Sequence, residues 1–411
     1  MNNDKPPDRS IGWDDVEIAI AGSGVMGSLL AQAYAQNGVN VGLIGRREES
    51  LKRAQYIIQK ELHAAIEGNI FSPLQVEEIR ERILFTPSYE PACRGKNLKL
   101  VLETATEDIL VKKEIFKKLD ELCPATIVFG TNTSCLDANL LARETRRSDR
   151  VVWMHYFFPP HKNHGGEYAP LESTSRETLE TAAQLMKRAR KTPTPLLKYR
   201  KGGASNTIFV ALLLEAGRMV DEGHDIPSIE AAGKTAFNMP FGFLGLADTV
   251  GLSLSISCLR SFSDGSVPAD PFYKVYNNFF SPPEIFDTMQ QQYASAPKKS
   301  AVRWVREEDA QKPPGNPQLV DILIKRFRAV AFMTAVEVVD SGLIEIKETD
   351  KLCQHAFYWH AGPFAMMNKM GIQEALRLVT ERMELSHRKE INFPIPMLFI
   401  EQARQGAPWP L

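Results

Sequence analysis

The first half of the chain alternates short apolar runs with longer amphipathic stretches, and this alternation limits the fold more than any other feature. Five runs rich in Val, Ile and Leu are predicted as buried strands: Val16–Ala21, Val39–Ile44, Leu98–Glu103, Thr126–Phe129 and Val151–His155. Amphipathic segments such as Met26–Asn37 and Glu48–Ile66 lie between them. Strands that alternate with helices indicate βαβ units, and therefore a parallel sheet covered by helices on both faces.

Beyond about Ala204 the strand pattern fades and the sequence predicts helices. Four of them are Ile208–Glu222, Ser228–Thr235, Leu319–Val339 and Gln373–Met383. The stretch Ser295–Gln318 is rich in Pro, Lys, Ser and Gln, and we interpret it as a connection. These features predict three domains: an α/β domain over residues 1–201 and helical domains over 202–312 and 313–411.

Two parts of the helical half repeat one another. Ile208–Leu252 contains, in order, Val-Asp-Glu-Gly, Pro-Phe-Gly-Phe and Val-Gly-Leu, while Phe327–Ile372 contains Val-Asp-Ser-Gly, Ala-Gly-Pro-Phe and Met-Gly-Ile. Gly342 follows Gly223 by 119 residues and Met-Gly-Ile follows Val-Gly-Leu by 120, so one inserted residue aligns both. We interpret the pattern as a duplicated module. The alternative is a chance similarity of two helix–turn–helix segments.

The composition excludes several classes of protein. Lys and Arg number 49 and Asp and Glu number 50, so the net charge of −1 predicts no surface for nucleic acid. No apolar run approaches the roughly 20 residues of a membrane helix, and residues 1–10 lack the apolar core of a secretion signal. The 5 cysteines are widely spaced, which is typical of reduced thiols rather than of disulfides or a zinc site. We therefore expect a cytoplasmic protein without a metal, a membrane or a nucleic-acid partner.

A glycine-rich turn, Gly22-Ser-Gly24-Val-Met26-Gly27, follows the first predicted strand. The G-x-G-x-x-G pattern alone is weak, but here it opens a helix that leads to a second strand, which is the context of a dinucleotide-binding turn. There the first glycine allows the tight bend, the second admits a pyrophosphate and the third brings helix against strand. We predict that Gly22, Gly24, Met26 and Gly27 bind a dinucleotide. A purely structural turn is the alternative.

The end of the second strand indicates which dinucleotide is bound. NAD sites usually carry Asp or Glu there for the ribose 2′-hydroxyl, whereas NADP sites offer Arg to the 2′-phosphate. This sequence has Gly45-Arg46-Arg47 at that point, and the fork of a guanidinium binds phosphate oxygens in pairs. We predict NADP as the cofactor and NAD as the second choice. The alternative is a solvated Arg pair that begins a surface helix.

Four segments together resemble the 3-hydroxyacyl-CoA dehydrogenase family. In chain order they are Glu103-Thr-Ala-Thr-Glu107-Asp, Lys112-Lys-Glu-Ile-Phe, Thr131-Asn132-Thr133-Ser134 and Met154-His155-Tyr156-Phe157. The resemblance extends continuously from about Val16 to Leu252, and the repeat Phe327–Ile372 resembles a second copy of the family's helical C-terminal domain. It implies a Rossmann-type α/β domain followed by two all-α C-terminal-like domains.

The resemblance also implies which residues perform the chemistry. It assigns the base, the carboxylate that orients it and two ligands of the substrate oxygens to His155, Glu167, Ser134 and Asn206. Glu172 is the alternative for the orienting carboxylate, and Glu107, Lys112 and Asn132 match positions beside the nicotinamide.

The chemistry of the residues agrees with these roles. An imidazole exchanges protons near neutral pH, and His155 ends a predicted strand at the edge where open α/β sheets bind ligands. A structural histidine is the alternative. His161 and His164 have no further ligand at metal-binding spacing, and we interpret them as part of a solvated loop.

Several positions depart from the family pattern. Phe158 stands where the family has an asparagine, and Gly202–Ala204 replaces its Pro-Gly-Phe. Glu61 occupies the place of a serine that meets the CoA tail, and the lysine that follows is deleted before Gly68. A carboxylate repels the phosphates of CoA, so these changes predict an unusual substrate.

The leading hypothesis is an NADP(H)-dependent dehydrogenase that interconverts a 3-hydroxyacyl thioester and its 3-oxo form. One rival keeps the chemistry on a carrier-protein-bound acyl group or a free hydroxy acid. Another is a catalytically silent protein that only binds the cofactor. The resemblance implies a homodimer, but a fused second copy of the helical domain predicts a monomer equally well.

Overall fold

The computed structural model describes residues 11–263, 278–297 and 301–411. The chain divides into two compact units, Met1–Pro193 and Thr194–Leu411. Both predicted helical domains, 202–312 and 313–411, lie within the second compact unit, which begins eight residues before position 202. The polar start at residues 1–10, which we examined for a secretion signal, lies outside the described residues.

The first unit is built on a sheet with the strand order β3-β2-β1-β4-β5-β6-β7-β8. The strands are β1 (Ile18–Ala21), β2 (Val41–Ile44), β3 (Ile83–Thr86), β4 (Leu100–Glu103), β5 (Val128–Thr131), β6 (Val151–Tyr156), β7 (Gly165–Pro170) and β8 (Thr192–Pro195). The first six strands are parallel and β7 is antiparallel to β6. The predicted parallel, Rossmann-type sheet is thus confirmed. Since β1 pairs with both β2 and β4, the strand order reverses beside it, and open sheets bind ligands at the carboxyl end of such a strand.

Most helices of the first unit pack against this sheet, and four of them begin at a Ser or Asp side-chain cap. The helices of this unit are α1 (Val25–Ala35), α2 (Glu48–Glu67), α3 (Pro73–Glu81), α4 (Tyr89–Cys93), α5 (Ile109–Leu122), α6 (Asn139–Ala142) and α7 (Arg176–Arg188). Ile20 of β1, Tyr34 of α1 and Met186 of α7 belong to one buried hydrophobic cluster. At the start of α5, the carboxylate of Asp108 accepts hydrogen bonds from the N–H groups of Leu110 and Val111. This cap fixes the first turn of α5, which carries a candidate site residue, Lys112.

The second unit is helical. Its described helices are α8 (Gly203–Asp221), α9 (Ile226–Phe237), α10 (Phe243–Val250), α11 (Leu252–Ser261), α12 (Glu284–Ser295), α13 (Glu307–Gln311), α14 (Pro317–Asp340), α15 (Ile346–Phe357), α16 (Pro363–Met370), α17 (Ile372–His387) and α18 (Met397–Gln405). Helix α14 contacts α8, α9 and α17, so residues on both sides of position 312 form one compact unit. The interpretation of Ser295–Gln318 as a connection is wrong in part, because this stretch contains α13. Among the described helices none is by itself long and apolar enough to cross a bilayer, and α10 and α11 pass that test only as a pair bent by 106°.

The helices α8–α11 and α14–α17 follow one another with equivalent turns. Gly223, after α8, has a φ of 86°, and Gly342, after α14, has a φ of 67°. Gly251, between α10 and α11, has a φ of 109°, and Gly371, between α16 and α17, has a φ of 95°. Glycine adopts these left-handed conformations without the strain that a side chain brings. The glycines that align in the sequence therefore mark the same bends in both sets of helices.

In each set, a carboxylate on the second helix caps the N-terminus of the third helix. The Glu230 carboxylate on α9 accepts a hydrogen bond of 3.0 Å from the N–H of Leu244, at the start of α10. The Asp350 carboxylate on α15 accepts one of 2.8 Å from the N–H of Phe364, at the start of α16. A carboxylate stabilises a helix N-terminus because the first N–H groups have no partner within the helix.

A buried ion cluster joins three helices of the second unit. Glu215 of α8 is fully buried and accepts hydrogen bonds of 2.8 Å from Nε of both Arg326 on α14 and Arg382 on α17. Burial alone would raise the pKa of Glu215, but the guanidiniums of Arg382 and Arg326 outweigh it and hold the pKa well below its usual range. Removing one partner of such a buried pair costs about 3–5 kcal/mol, so the cluster fixes these helices to one another.

Candidate active site

The glycine-rich turn joins β1 to α1, and each glycine meets a different requirement. Gly22 has a φ of 133°, and a Cβ there would lie 2.7 Å from the backbone nitrogen of Ala105. A Cβ at Gly27 would lie 1.8 Å from the carbonyl oxygen of Gly22, so only glycine lets the helix approach the turn. A Cβ at Gly24 would meet nothing within 4 Å, which leaves open space beside the backbone that begins α1. Met26 packs its side chain against the hydrophobic cluster. Phosphates bind at such a helix start, where the first N–H groups lack partners within the helix.

A cavity of about 550 Å³ lies beside this turn. Gly22 and Gly24 line it together with Arg46, Tyr89 and Lys118, whose Nζ lies 4.8 Å from the centre of the Tyr89 ring. The structure therefore brings Arg46 to the same cavity as the glycine turn. Its predicted companion, Arg47, is the exposed residue that precedes α2 and does not line the cavity.

A buried lysine connects the ends of β4 and β5 with α5. Lys112 is 1% exposed, and its Nζ donates a hydrogen bond of 2.8 Å to Glu103 Oε1 and lies 3.4 Å from Glu107 Oε2. The hydroxyl of Thr131 donates to the other oxygen of Glu103 at 2.8 Å. The carboxylates of Glu103 and Glu107 offset the charge of the ammonium. Lys112 therefore fixes α5 to the end of β4 beside the site.

Glu107 also shapes the turn after β5 that carries Ser134. Its Oε1 accepts hydrogen bonds from the Thr133 hydroxyl at 2.6 Å and from the N–H groups of Ser134 and Cys135 at 2.9 Å each. The side-chain oxygen of Asn132 accepts a hydrogen bond of 2.9 Å from the N–H of Tyr156, which ties the turn to β6. These bonds fix the position of the Ser134 hydroxyl.

Three of the four predicted catalytic residues form one hydrogen-bonded array. His155 and Glu167 are directly opposite one another in the antiparallel pair β6–β7, so their side chains share one face of the sheet. Nδ1 of His155 lies 3.0 Å from Oε1 of Glu167, and Nε2 lies 3.1 Å from Oγ of Ser134. His155 is 6% exposed and Glu167 is fully buried. When Nδ1–H donates its hydrogen bond to Glu167, Nε2 remains free to exchange a proton with a ligand.

The alternative carboxylate, Glu172, lies elsewhere. Its side chain is 61% exposed and accepts two hydrogen bonds of 3.0 Å from Arg143. The carboxylate that reaches the imidazole is therefore Glu167, the one that the ungapped spacing predicted.

Two aromatic residues that sequence reasoning missed enclose His155. Trp153 stacks on the imidazole with ring centres 5.2 Å apart and planes inclined by 19°, and Phe157 meets it edge-on at 5.7 Å. The indole N–H of Trp153 donates a hydrogen bond of 2.8 Å to the carbonyl oxygen of Thr133. The signal that could have found them is the period of two in a strand, since both lie two positions from His155.

Asn206, the fourth predicted catalytic residue, belongs to the second unit. It lies in the first turn of α8 and is partly buried. Its counterpart in the repeat, Lys325 on α14, is 55% exposed and forms an ion pair of 3.0 Å with Asp321. The assignment of Asn206 to the substrate oxygens stays a prediction.

The interpretation of His161 as part of a solvated loop is wrong, because its side chain is only 4% exposed. Its Nε2 lies 2.9 Å from Glu61 Oε2, and the ammonium of Lys162 donates to the same oxygen at 2.7 Å. The carboxylate of Glu61 is therefore paired, which offsets the repulsion that we predicted between it and a CoA phosphate. Among the described residues, no three His, Cys, Asp or Glu side chains lie close enough together to hold a metal ion.

A glycine-rich turn beside a cavity, together with a buried His–Glu pair on the same sheet, defines a dinucleotide-dependent oxidoreductase. The chain belongs to the 3-hydroxyacyl-CoA dehydrogenase family, as its motifs predicted. The model of that family's NAD binding domain matches residues 17–199, and the model of its C-terminal domain matches residues 202–297.

Two relatives agree with this membership, and a solved structure agrees with the fold. The 3-hydroxybutyryl-CoA dehydrogenase of Clostridioides difficile is 30% identical over 261 residues, which are 62% of this chain and 92% of that protein. The mitochondrial hydroxyacyl-coenzyme A dehydrogenase of Sus scrofa is 30% identical over 239 residues, which are 57% of this chain and 76% of that protein. A crystal structure of 3-hydroxybutyryl-CoA dehydrogenase from Escherichia coli K12 has the same fold, with a TM-score of 0.80 over 95% of this chain and 99% of that one, at 20% identity.

Proposed function

We propose that this chain interconverts a 3-hydroxyacyl-CoA and its 3-oxoacyl form by hydride transfer, with NADP(H) as the preferred cofactor. The observation that carries the proposal is the array Ser134–His155–Glu167, with contacts of 3.1 Å and 3.0 Å at the carboxyl end of β6. It places one group that exchanges protons near neutral pH beside a hydroxyl that can hold the reacting oxygen.

His155 moves the proton and its neighbours hold it in position. In oxidation Nε2 takes the proton of the substrate hydroxyl, and in reduction it returns that proton to the oxygen of the 3-oxo group. Glu167 keeps the other ring nitrogen protonated and offsets the charge of the imidazolium. Ser134 donates a hydrogen bond to the reacting oxygen, and Asn206 is the second ligand of the substrate oxygens. The nicotinamide, when bound, supplies or accepts the hydride.

The residues around the glycine turn fit a dinucleotide. The open space at Gly24 admits a pyrophosphate to the start of α1, and the cavity beside it extends to Arg46. The preference for NADP rests on this guanidinium, which lies just beyond β2 where NAD enzymes carry an acid. Lys118 adds a second cation to the lining, against one carboxylate, Glu114. Glu107, Lys112 and Asn132 would lie toward the nicotinamide.

The helices α14–α17 are proposed to be a second copy of the family's C-terminal domain. Their order, the left-handed glycines Gly342 and Gly371, and the carboxylate of Asp350 at the start of α16 support this origin. The second copy would cover the face that otherwise binds a partner subunit, so a monomer is proposed over a homodimer.

Turnover of acetoacetyl-CoA with NADPH and with NADH tests the proposal. We expect oxidation of NADPH at a higher kcat/KM than oxidation of NADH. The same acyl group on a carrier protein is the second substrate, and faster turnover of it would assign the enzyme to carrier-bound acyl groups. Binding of NADPH without turnover of either substrate, or of the free acid, would identify a catalytically silent protein and refute the proposal.

A further inference from the structure

We infer that Trp153 is a positioning residue for both His155 and Ser134, an inference that rests on the proposed function. Trp153 is fully buried in the middle of β6 and lies on the same face of the strand as His155. Its ring touches the imidazole and its N–H group reaches the turn that carries Ser134. The side chain of Trp153 therefore links the end of β6, which carries His155, to the turn after β5, which carries Ser134.

The stack on His155 fixes the plane of the imidazole. Rotation of the ring about its bond to the strand is limited on one side by Trp153, at 5.2 Å, and on the other by Phe157, at 5.7 Å. Within these limits Nδ1 faces Glu167 while Nε2 faces Ser134. A ring held in this way is ready for proton transfer, whereas a mobile ring must first find this orientation.

The stack also favours the charged form of the base. During oxidation His155 becomes an imidazolium, and the face of an indole attracts a cation more strongly than the face of any other side chain. The attraction is greatest where water is excluded, and Trp153 is 0% exposed here. The proton acceptor is thus stabilised at the moment when it carries charge.

The hydrogen bond from Trp153 to Thr133 fixes the position of Ser134. The Thr133 carbonyl lies directly before Ser134, and the indole N–H holds it at 2.8 Å. Glu107 holds the N–H of Ser134 from the opposite end of the same peptide unit. The peptide that places the Ser134 hydroxyl is therefore gripped at both its oxygen and its nitrogen.

The test compares Trp153→Phe, Trp153→Leu and the control Phe129→Leu. Phenylalanine keeps a ring face but lacks the N–H group, and leucine lacks both. Phe129 is equally buried on the adjacent strand β5 and packs on Phe116 with ring centres 6.2 Å apart, so it reports general loosening of the core. Each protein is assayed for reduction of acetoacetyl-CoA by NADPH across the neutral and alkaline pH range, with thermal unfolding measured alongside.

We expect Trp153→Leu to lower kcat about tenfold or more and Trp153→Phe to lower it less, with KM for acetoacetyl-CoA within about twofold of the original. Reduction needs the imidazolium as proton donor, so its activity declines at alkaline pH. Losing the indole should move this decline to lower pH in Trp153→Leu and leave it in place in Phe129→Leu. Unaltered kcat and pH dependence in both Trp153 variants would overturn the inference, as would an equal loss in Phe129→Leu.

Nitrogen NMR of the His155 ring separates this inference from the proposed function, because it needs no turnover. We expect one sharp set of ring signals, with the proton on Nδ1, in the unmodified protein and signals broadened by motion of the ring in Trp153→Leu. If no acetoacetyl substrate is turned over, the proposed function fails and these spectra alone decide the role of Trp153. Identical spectra in the two proteins would then refute it.

Discussion

Replacing Glu167 with glutamine removes one charge from the buried pair with His155 and changes little in size. Oε1 and Nδ1 are 3.0 Å apart, and at an effective dielectric constant of about 20 Coulomb's law gives about 5.5 kcal/mol for unit charges at that distance. This is an upper limit, since an amide oxygen still accepts a hydrogen bond. The net contribution of a bond to a charged group is about 1.5–3 kcal/mol. Because each 1.36 kcal/mol is tenfold in rate, Glu167→Gln should lower kcat about 10- to 150-fold.

The assay is reduction of acetoacetyl-CoA by NADPH as a function of pH. Without the carboxylate the imidazolium is less stable, so activity in this direction should decline at a lower pH than in the unmodified protein. The amide can also rotate and donate its N–H to Nδ1, which favours the wrong tautomer and lowers kcat without affecting cofactor binding. Fluorescence titration should therefore give an unchanged Kd for NADPH.

Glu172→Gln is the matched control. Glu172 is 61% exposed and is bonded to Arg143, so its exchange should leave kcat and the pH dependence unchanged. If Glu167→Gln keeps full activity and Glu172→Gln loses it, then Glu172 is the carboxylate that orients His155. That result would refute the reasoning from the β6–β7 pairing.

Four further substitutions test the remaining assignments. His155→Ala should lower turnover by about 10²–10⁴-fold with little effect on the Kd for NADPH, and a silent change on every accepted substrate would end the mechanistic assignment. Arg46→Ala should weaken NADPH about tenfold or more in a binding titration while sparing NADH, because one charge-assisted contact is lost; equal affinities of the unmodified protein for the two cofactors would refute the preference. Asn206→Ala should reduce kcat whereas Lys325→Ala, at an exposed ion pair, should not, and a large loss from the Lys325 change would show that the second set of helices contributes to the site.

The strands that the sequence predicted are those that the sheet buries on both faces. β1, β2, β4, β5 and β6 are short apolar runs, and their pattern needs no knowledge of the neighbouring strands. β7 is different, because Gly165–Pro170 contains two glycines, a charge and a proline. It is a strand because it pairs with β6, and such long-range pairing leaves no local signal.

In the candidate site, too, some features could be predicted from the sequence and others could not. The motifs identified Ser134, His155 and Glu167 by residue type and spacing, and those side chains meet in the structure. The pairing of Glu61 with His161 could not be predicted, since 100 residues separate them and neither fits a motif. Charges that seem unfavourable in isolation are often paired across such distances, so a departure from a family pattern needs the fold before it can be interpreted.

The ion cluster around Glu215 makes the helices before residue 312 depend for their stability on the helices that follow. Both guanidiniums that donate hydrogen bonds to Glu215, those of Arg326 and Arg382, come from beyond residue 312. Deleting residues 313–411 would remove both guanidiniums and leave Arg218, 3.7 Å away, as the remaining cation of the cluster, and losing even one buried partner costs about 3–5 kcal/mol of a total stability of about 5–15 kcal/mol. A chain that ends at residue 312 is therefore expected to be much less stable, unless Glu215 is replaced by an apolar residue as well.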